Sequence, residues 1–457
     1  MHQSVILILY PFPSFFLSFV LIHSYSHIQY IRYNTYTHFP RIHHAHQPST
    51  SFPTPIHPSI HARIPVSLLI LTLIIHQLYT YPIKSLQGIP IPSATFTRTG
   101  FPYDRHFMLL KVLPNGEYKN MHVPHFPEMS LFYTDIIHGD DNKNASESES
   151  SRIEVTYRPP PTADQPQSQR RLEVPLVPNT AGLKEVEVIM HQSPTKGYIM
   201  GEEYNGWFSE CFGYQVVLVY LGGNYRGVLG SFAPEKSAAH RGTQGWWRRD
   251  GVLGLGTGLV GVMILLSWVG MSMGLLGSIG ATGAAGAVFW YGAGCKNKKE
   301  EQITFADTAP YLIVSRTSVD DVSARLAGDE EMDVTKARPN IVISGAETAF
   351  EEDFWAEVQI GELGSAKLLL TANCVRCQSL NVDYATGKMG TGESGTVLKK
   401  LMKDRRVDKG AKFSPVFGRY GFLDAGSDGR TVRVGDAVVV ARRVKERMVY
   451  DWPGLTN

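Results

Sequence analysis

A mixed α+β fold, mainly β, built from two β-barrel-like domains with an apolar helical insertion between them, is what the 457 residues predict. Three observations carry it. Short apolar and aromatic segments punctuated by Gly, Pro and Asn turns recur in both halves of the chain, the pattern of small barrels. Between the halves, Gly251 to Cys295 contains no charged side chain and no proline. The chain is also too long for one core, since a domain takes ~100–200 residues. The division that follows is 1–76, 77–244, 245–299 and 300–457.

Composition narrows the function classes. A net charge of +2 leaves no broad electrostatic footprint for nucleic acid. Four cysteines without regular spacing argue against a disulfide framework and for a reducing compartment. Residues 1–76 contain no acid, the first in the chain being Asp104, and are rich in His, Pro and Ser. Their apolar runs, Val5–Leu9, Phe15–Ile22 and Val66–Ile75, fall short of a ~20-residue span. Prolines interrupt any long amphipathic helix. The segment is expected to be a poorly ordered or targeting extension, a signal anchor ranking ahead of a mitochondrial presequence.

From Gln77 onward, Leu78–Ile83, Thr95–Thr99 and Phe107–Leu113 alternate as strands, with Pro114-Asn115-Gly116-Glu117 as a hairpin turn. Stretches His138–Arg152 and Pro159–Gln169 lack periodicity and read as surface loops. Gly201–Phe212 is helical, with Trp207, Phe208 and Cys211 on one face, and Val216–Tyr220 is a strand. In the last domain Tyr311–Val314, Ile341–Ser344, Glu357–Ile360, Lys367–Thr371 and Val432–Val440 are strands, while Val319–Ala327 and Val397–Lys403 are helices. Such a pattern suits a twisted barrel with short helices packed outside it.

The chemistry concentrates in Asn373-Cys374-Val375-Arg376-Cys377-Gln378-Ser379, at the end of a strand and the turn after it. A Cys-x-x-Cys pair has three ordinary explanations: half a zinc site, a dithiol redox pair, or two buried small hydrophobes. Only Cys211 and Cys295 remain elsewhere, which gives a four-thiolate site poor support. A thioredoxin-like pair needs a following helix, and a turn follows here. A thiolate readied by the Arg376 charge remains, with a purely structural pair as the alternative.

The flanks of this stretch resemble a known family. Arg338-Pro339-Asn340, Glu351-Glu352-Asp353-Phe354-Trp355, Ser414-Pro415-Val416-Phe417-Gly418-Arg419-Tyr420 and Val434-Gly435-Asp436 look like the MOSC domain. Upstream, Tyr81-Pro82-Ile83-Lys84-Ser85 and Asp104-Arg105 resemble the MOSC N-terminal β-barrel domain that accompanies it in amidoxime-reducing proteins. The resemblance implies a molybdenum–molybdopterin (pyranopterin dithiolene) cofactor. It places Lys84, Ser85, Arg105, Thr308, Arg338, Asn340 and Arg376 around the cofactor, with Cys377 as the metal ligand. A thiolate suits a soft metal, and forked guanidinium and ammonium groups suit a phosphate. Asp383 is a candidate proton donor to the open metal position, with turn capping as its alternative job. At Asn120-Met121-His122-Val123-Pro124 this chain departs from the Arg-Gln pair frequent among relatives.

The implied activity is reduction of N-hydroxylated compounds, with electrons from a b-type cytochrome and an NADH-dependent flavin reductase. The alternative is a cofactor or sulfur carrier without reductase activity. Both cofactor-binding groups must meet although 245–299 separates them. That requirement predicts a membrane hairpin with both basic, aromatic flanks on one side rather than a single span. The expected location is a membrane, the mitochondrial outer membrane among the candidates.

Overall fold

The computed structural model describes residues 73–139, 151–160, 169–240 and 300–455, all within one compact unit. Its first half contains strands β1 (Leu73–Thr80), β2 (Phe107–Val112), β3 (Tyr118–Asn120), β4 (Phe132–Ile137), β5 (Arg152–Tyr157), β6 (Arg170–Pro175), β7 (Lys184–Met190) and β8 (Ser193–Ile199). Helix α1 (Glu202–Phe212) and strand β9 (Val216–Tyr220) complete it. The second half runs β10 (Tyr311–Ser315), α2 (Arg316–Ala324), β11 (Ile341–Ser344), β12 (Trp355–Ile360) and β13 (Ala366–Val375). It ends with α3 (Val397–Met402), β14 (Val416–Leu423) and β15 (Ala437–Arg443).

Seven strands close a barrel in the order β11-β10-β14-β13-β12-β15-β1, with β1 returning to β11. The closing strand therefore comes from the far end of the described sequence, more than 200 residues before most of its partners. A register shift between Ile75 and Gln77 re-phases the strand, so that Ile75 and Leu78, three residues apart, both turn into the core and are fully buried. They meet Tyr311, Ile341, Trp355 and Leu370 in the interior. Each such side chain contributes roughly 1.5–3 kcal/mol on burial.

Strands β3-β2-β9-β8-β7 form a separate sheet, and β4-β5-β6 a third. The five-stranded sheet is open rather than closed, so only one of the two expected barrels is formed by strand pairing among the described residues. Its edges are nonetheless linked, as Asn120 Nδ2 donates to Ile189 O at 2.8 Å. Helix α1 covers the neighbouring core, where Phe132 stacks on Phe212 at 4.7 Å and Phe208 is fully buried. Gly213 ends the helix in the left-handed conformation (φ 74°), the usual stop where a Cβ would be strained.

Several boundaries differ from the periodicity. The strand expected at Leu78–Ile83 occupies Leu73–Thr80, because pairing with β11 and β15 recruits residues ahead of it. Helix α2 begins at Arg316, three residues before the expected Val319, with Ser315 as its N-cap. The stretch Val432–Val440 divides into Thr431–Arg433 and β15 around Gly435 (φ 91°). Its two parts pair with different partners, Ser93–Thr95 and β12, so one continuous strand cannot form.

The extension at 1–72 and the apolar insertion, hairpin included, lie outside the described residues. Among the described residues no helix is long and apolar enough to cross a membrane. What the fold does show is where the chain leaves and returns: Arg226–Gly227 pairs antiparallel with Gln302–Ile303.

Candidate active site

Where β1 ends, Tyr81 becomes the centre of a cationic cluster. Its backbone N–H donates to Asp104 Oδ1 at 2.8 Å and its hydroxyl to Pro339 O at 3.1 Å. The Arg105 guanidinium lies 4.6 Å from the centre of its ring and that of Arg338 4.8 Å, both in cation–π range. Arg105 donates to the Asp104 carboxylate, to Asn340 Oδ1 at 3.4 Å and to Arg338 O at 3.1 Å. Arg338 donates in turn to Leu86 O. Asn340 also accepts from Leu312 N–H at 3.2 Å, which fixes its amide against β10. Ser85, Arg105 and Arg338 all hold positive φ, at 70°, 56° and 57°. Left-handed backbone at a non-glycine costs on the order of 1 kcal/mol each and collects at functional sites.

Lys84 is buried, and its ammonium donates to Phe305 O at 3.0 Å and to Asp307. Burial lowers its pKa, an effect the Asp307 charge opposes. Asp307 keeps 55% of its side-chain surface exposed. Burial of its carboxyl acts upward, but Lys84 and His191, the latter 3.4 Å away, hold it well below the ordinary carboxylate range. The segment carrying Asp307 is pinned by Arg226. That fully buried guanidinium donates to Thr304 O at 3.1 Å, Met190 O at 2.9 Å and Asp307 O at 3.0 Å, and also to Ala306 O. Next in line, the buried Thr308 Oγ1 has no hydrogen-bond partner among the described residues.

The two cysteines differ sharply. Cys374, at the end of β13, is buried and receives Arg376 Nη1 at 2.8 Å. Arg376 Nη2 donates to Ala337 O at 2.9 Å, which ties it to the turn that presents Arg338, and its buried Nε has no partner among the described residues. Cys377 is exposed, its sulfur 3.4 Å from Ser379 Oγ. Asp383 accepts from Ala385 N–H and from Thr386 Oγ1, both at 2.9 Å. Burial acts upward on its pKa, but these bonds and Lys336 outweigh it and lower it, so the carboxylate stays ionised at neutral pH. Its partners are its own turn and Lys336 rather than the cationic cluster.

Of four cations, Lys84 and Arg105 pair with Asp307 and Asp104, whereas Arg338 donates to Leu86 O and Arg376 to Cys374 and Ala337 O. The excess charge, the orphaned Thr308 Oγ1 and Arg376 Nε, and an exposed thiol together suit an anionic ligand that also carries a soft metal.

Residues 72–215 match the MOSC N-terminal beta barrel domain and residues 300–439 the MOSC domain. The chain carries both MOSC domains. Part of this MOSC protein is 36% identical over 142 residues to human mitochondrial amidoxime-reducing component 1, covering 31% of this chain and 40% of that protein. Bovine mitochondrial amidoxime reducing component 2 is 34% identical over 142 residues, covering 31% and 39%. The zebrafish component 1 is 34% identical over 122 residues, covering 27% and 35%. The chain therefore spans about two-fifths or less of the length of these relatives.

Residue reading alone passed over several groups of this MOSC site. Tyr81 belongs to the Tyr81–Ser85 motif and Asp307 adjoins Thr308, yet nothing local marks the first as a ring in contact with two guanidiniums or the second as the partner of Lys84. Arg226 had no motif at all. His122 was signalled only as a departure from the Arg-Gln pattern.

Proposed function

We propose that this MOSC protein is a molybdenum-cofactor-dependent reductase of N-hydroxylated compounds such as amidoximes. The observation that carries the reading is the exposed Cys377 thiol in electrostatic reach of Arg376, which Ala337 O ties to the turn presenting Arg338, while its neighbour Cys374 is buried under Arg376. When bound, the cofactor would supply two-electron reduction fed by single electrons. Cys377 would ligate the metal, and Lys84, Ser85, Arg105, Thr308, Arg338, Asn340 and Arg376 would hold the anionic pterin end. Arg105 and Arg338 act from fixed positions, because their hydrogen bonds and the Tyr81 ring leave little rotamer freedom to lose on binding. Thr308 Oγ1 and Arg376 Nε each have a donor to give.

Asp383, ionised and committed to its turn, is better suited to fixing the loop after Cys377 than to donating a proton. Electrons would come from a b-type cytochrome served by an NADH-dependent flavin reductase. The likeness to mitochondrial amidoxime-reducing components supports a mitochondrial location.

The test is molybdenum per polypeptide in the full chain made in a host that synthesises the cofactor, wild type against Cys377→Ala. Turnover of benzamidoxime with reduced methyl viologen is measured beside it. Near-stoichiometric metal with turnover in the wild type, and loss of turnover in the variant, is the expected result. Full metal with no turnover would favour the carrier reading, and unchanged turnover in Cys377→Ala would remove Cys377 as ligand.

A further inference from the structure

Two histidines in contact, His122 and His125, lie on a loop tied to the turn whose His191 reaches Asp307. Strand register brings the first. Leu110 pairs with Asn120 and Met121 N–H donates to Leu109 O at 3.2 Å, so His122 arrives towards the Phe107 end of β2. There Lys84 N–H donates to Phe107 O at 2.8 Å. The Asn120–Ile189 bond joins this loop to the β7–β8 turn two residues ahead of both His122 and His191, and His191 reaches Asp307 at 3.4 Å. His125 and Phe126 N–H fold back onto His122 O at 3.0 and 3.1 Å, a tight turn that stacks the two rings edge to face. Their nitrogens, His122 Nε2 and His125 Nδ1, lie 2.6 Å apart. His125 is exposed and His122 half-buried.

We propose that His125 and His122 form a proton relay from solvent to the Lys84–Asp307 side of the site. The inference rests on the reductase reading above. Reduction of an amidoxime breaks its N–O bond, consumes two electrons from the external one-electron donor and two protons, and yields an amidine and water. One proton goes to nitrogen and one to the departing oxygen. The relay supplies them singly. A proton enters at His125 Nε2, His125 Nδ1–H passes its own to His122 Nε2, and His122 releases the proton on Nδ1 inward. The titratable groups that interact with His122 are Lys84, His125, Asp307 and His191. Burial first, then the Lys84 charge, brings its pKa down to about 4, so it rests neutral and carries a proton only in transit.

The experiment uses the full cofactor-loaded chain with benzamidoxime and reduced methyl viologen, comparing wild type with His122→Gln and His125→Gln. The variants are expected to lose about tenfold in kcat at pH 8 and little at pH 6, where bulk acid substitutes, with KM unchanged. Added imidazole should restore much of the loss. Wild-type kcat and pH profile in both variants would overturn the relay while leaving the reductase intact. A fully loaded wild type without turnover would overturn the reductase reading and the relay with it. Independently of activity, nitrogen NMR of the cofactor-free chain should show coupling across the His122–His125 hydrogen bond, lost in His125→Gln. A folded wild type lacking that coupling would overturn the relay.

Discussion

Arg376 Nη1 lies 2.8 Å from the sulfur of Cys374, so the guanidinium expected to ready a thiolate serves the buried member of the Cys-x-x-Cys pair. Cys377 remains exposed. Limiting iodoacetamide on the native, cofactor-free chain should therefore label Cys377 ahead of Cys374, the latter slower by roughly tenfold or more. Cys211 should also lag, because burial pushes its thiol up to about 11. Mass spectrometry of the three peptides gives the order directly. Labelling of Cys374 ahead of Cys377 would contradict the assignment of roles.

Thr308 makes opposite predictions for the empty and loaded chain. Its Oγ1 is buried without a partner among the described residues, so Thr308→Val should stabilise the cofactor-free protein by about 1 kcal/mol. The same change should weaken cofactor retention, since the hydroxyl is held in reserve for a ligand. Urea unfolding of the empty chain and molybdenum content after dialysis measure the two effects. Destabilisation of the empty chain would mean that the hydroxyl already has work in the fold.

Glu352 offers a pH test remote from the relay. Its carboxyl is fully buried between Ser315 N–H at 3.3 Å and Ser318 Oγ at 2.8 Å. Burial raises its pKa from 4.5 to about 7. The folded state thus prefers the protonated acid. That contribution is fully present below pH 4.5, declines as the unfolded chain ionises, and is gone once pH has risen through about 7. The loss is on the order of 3 kcal/mol. Glu352→Gln cannot ionise, so its Tm relative to wild type should rise between pH 4.5 and pH 8. A constant difference across that range would refute the shift.

Arg226 should couple stability to the site. Arg226→Met removes the donors to Met190, Thr304, Ala306 and Asp307 carbonyls, at a cost of about 3 kcal/mol or more. Arg226→Lys keeps the charge but not the fork, and should lie between the two. Urea midpoints give the order. Molybdenum retention in the folded fraction should fall with them, because the segment bearing Asp307 and Thr308 loses its anchor.

Several features were legible in one dimension. The Gly201–Phe212 helix, the Pro114–Glu117 turn and the strand ending at the cysteines need only neighbouring residues to appear, because backbone hydrogen bonding and side-chain periodicity are local. The residues Lys84, Arg105, Arg338, Arg376 and Cys377 stand in motifs that mark them as candidates; their exposure and partners do not.

Tertiary structure alone decided the rest. Alternation marks a strand but not its partner, and β1 closes a barrel whose other strands lie hundreds of residues ahead. Which cysteine is buried, which carboxylate pairs with Lys84, and that Tyr81 is the ring beneath two guanidiniums depend on contacts spanning long stretches of chain, such as the 258 residues between Tyr81 and Pro339. Sequence determined which chemical groups this protein has to spend; burial and the neighbours supplied by folding decided their charge, exposure and partners, since desolvation and Coulomb attraction act through space and not along the chain.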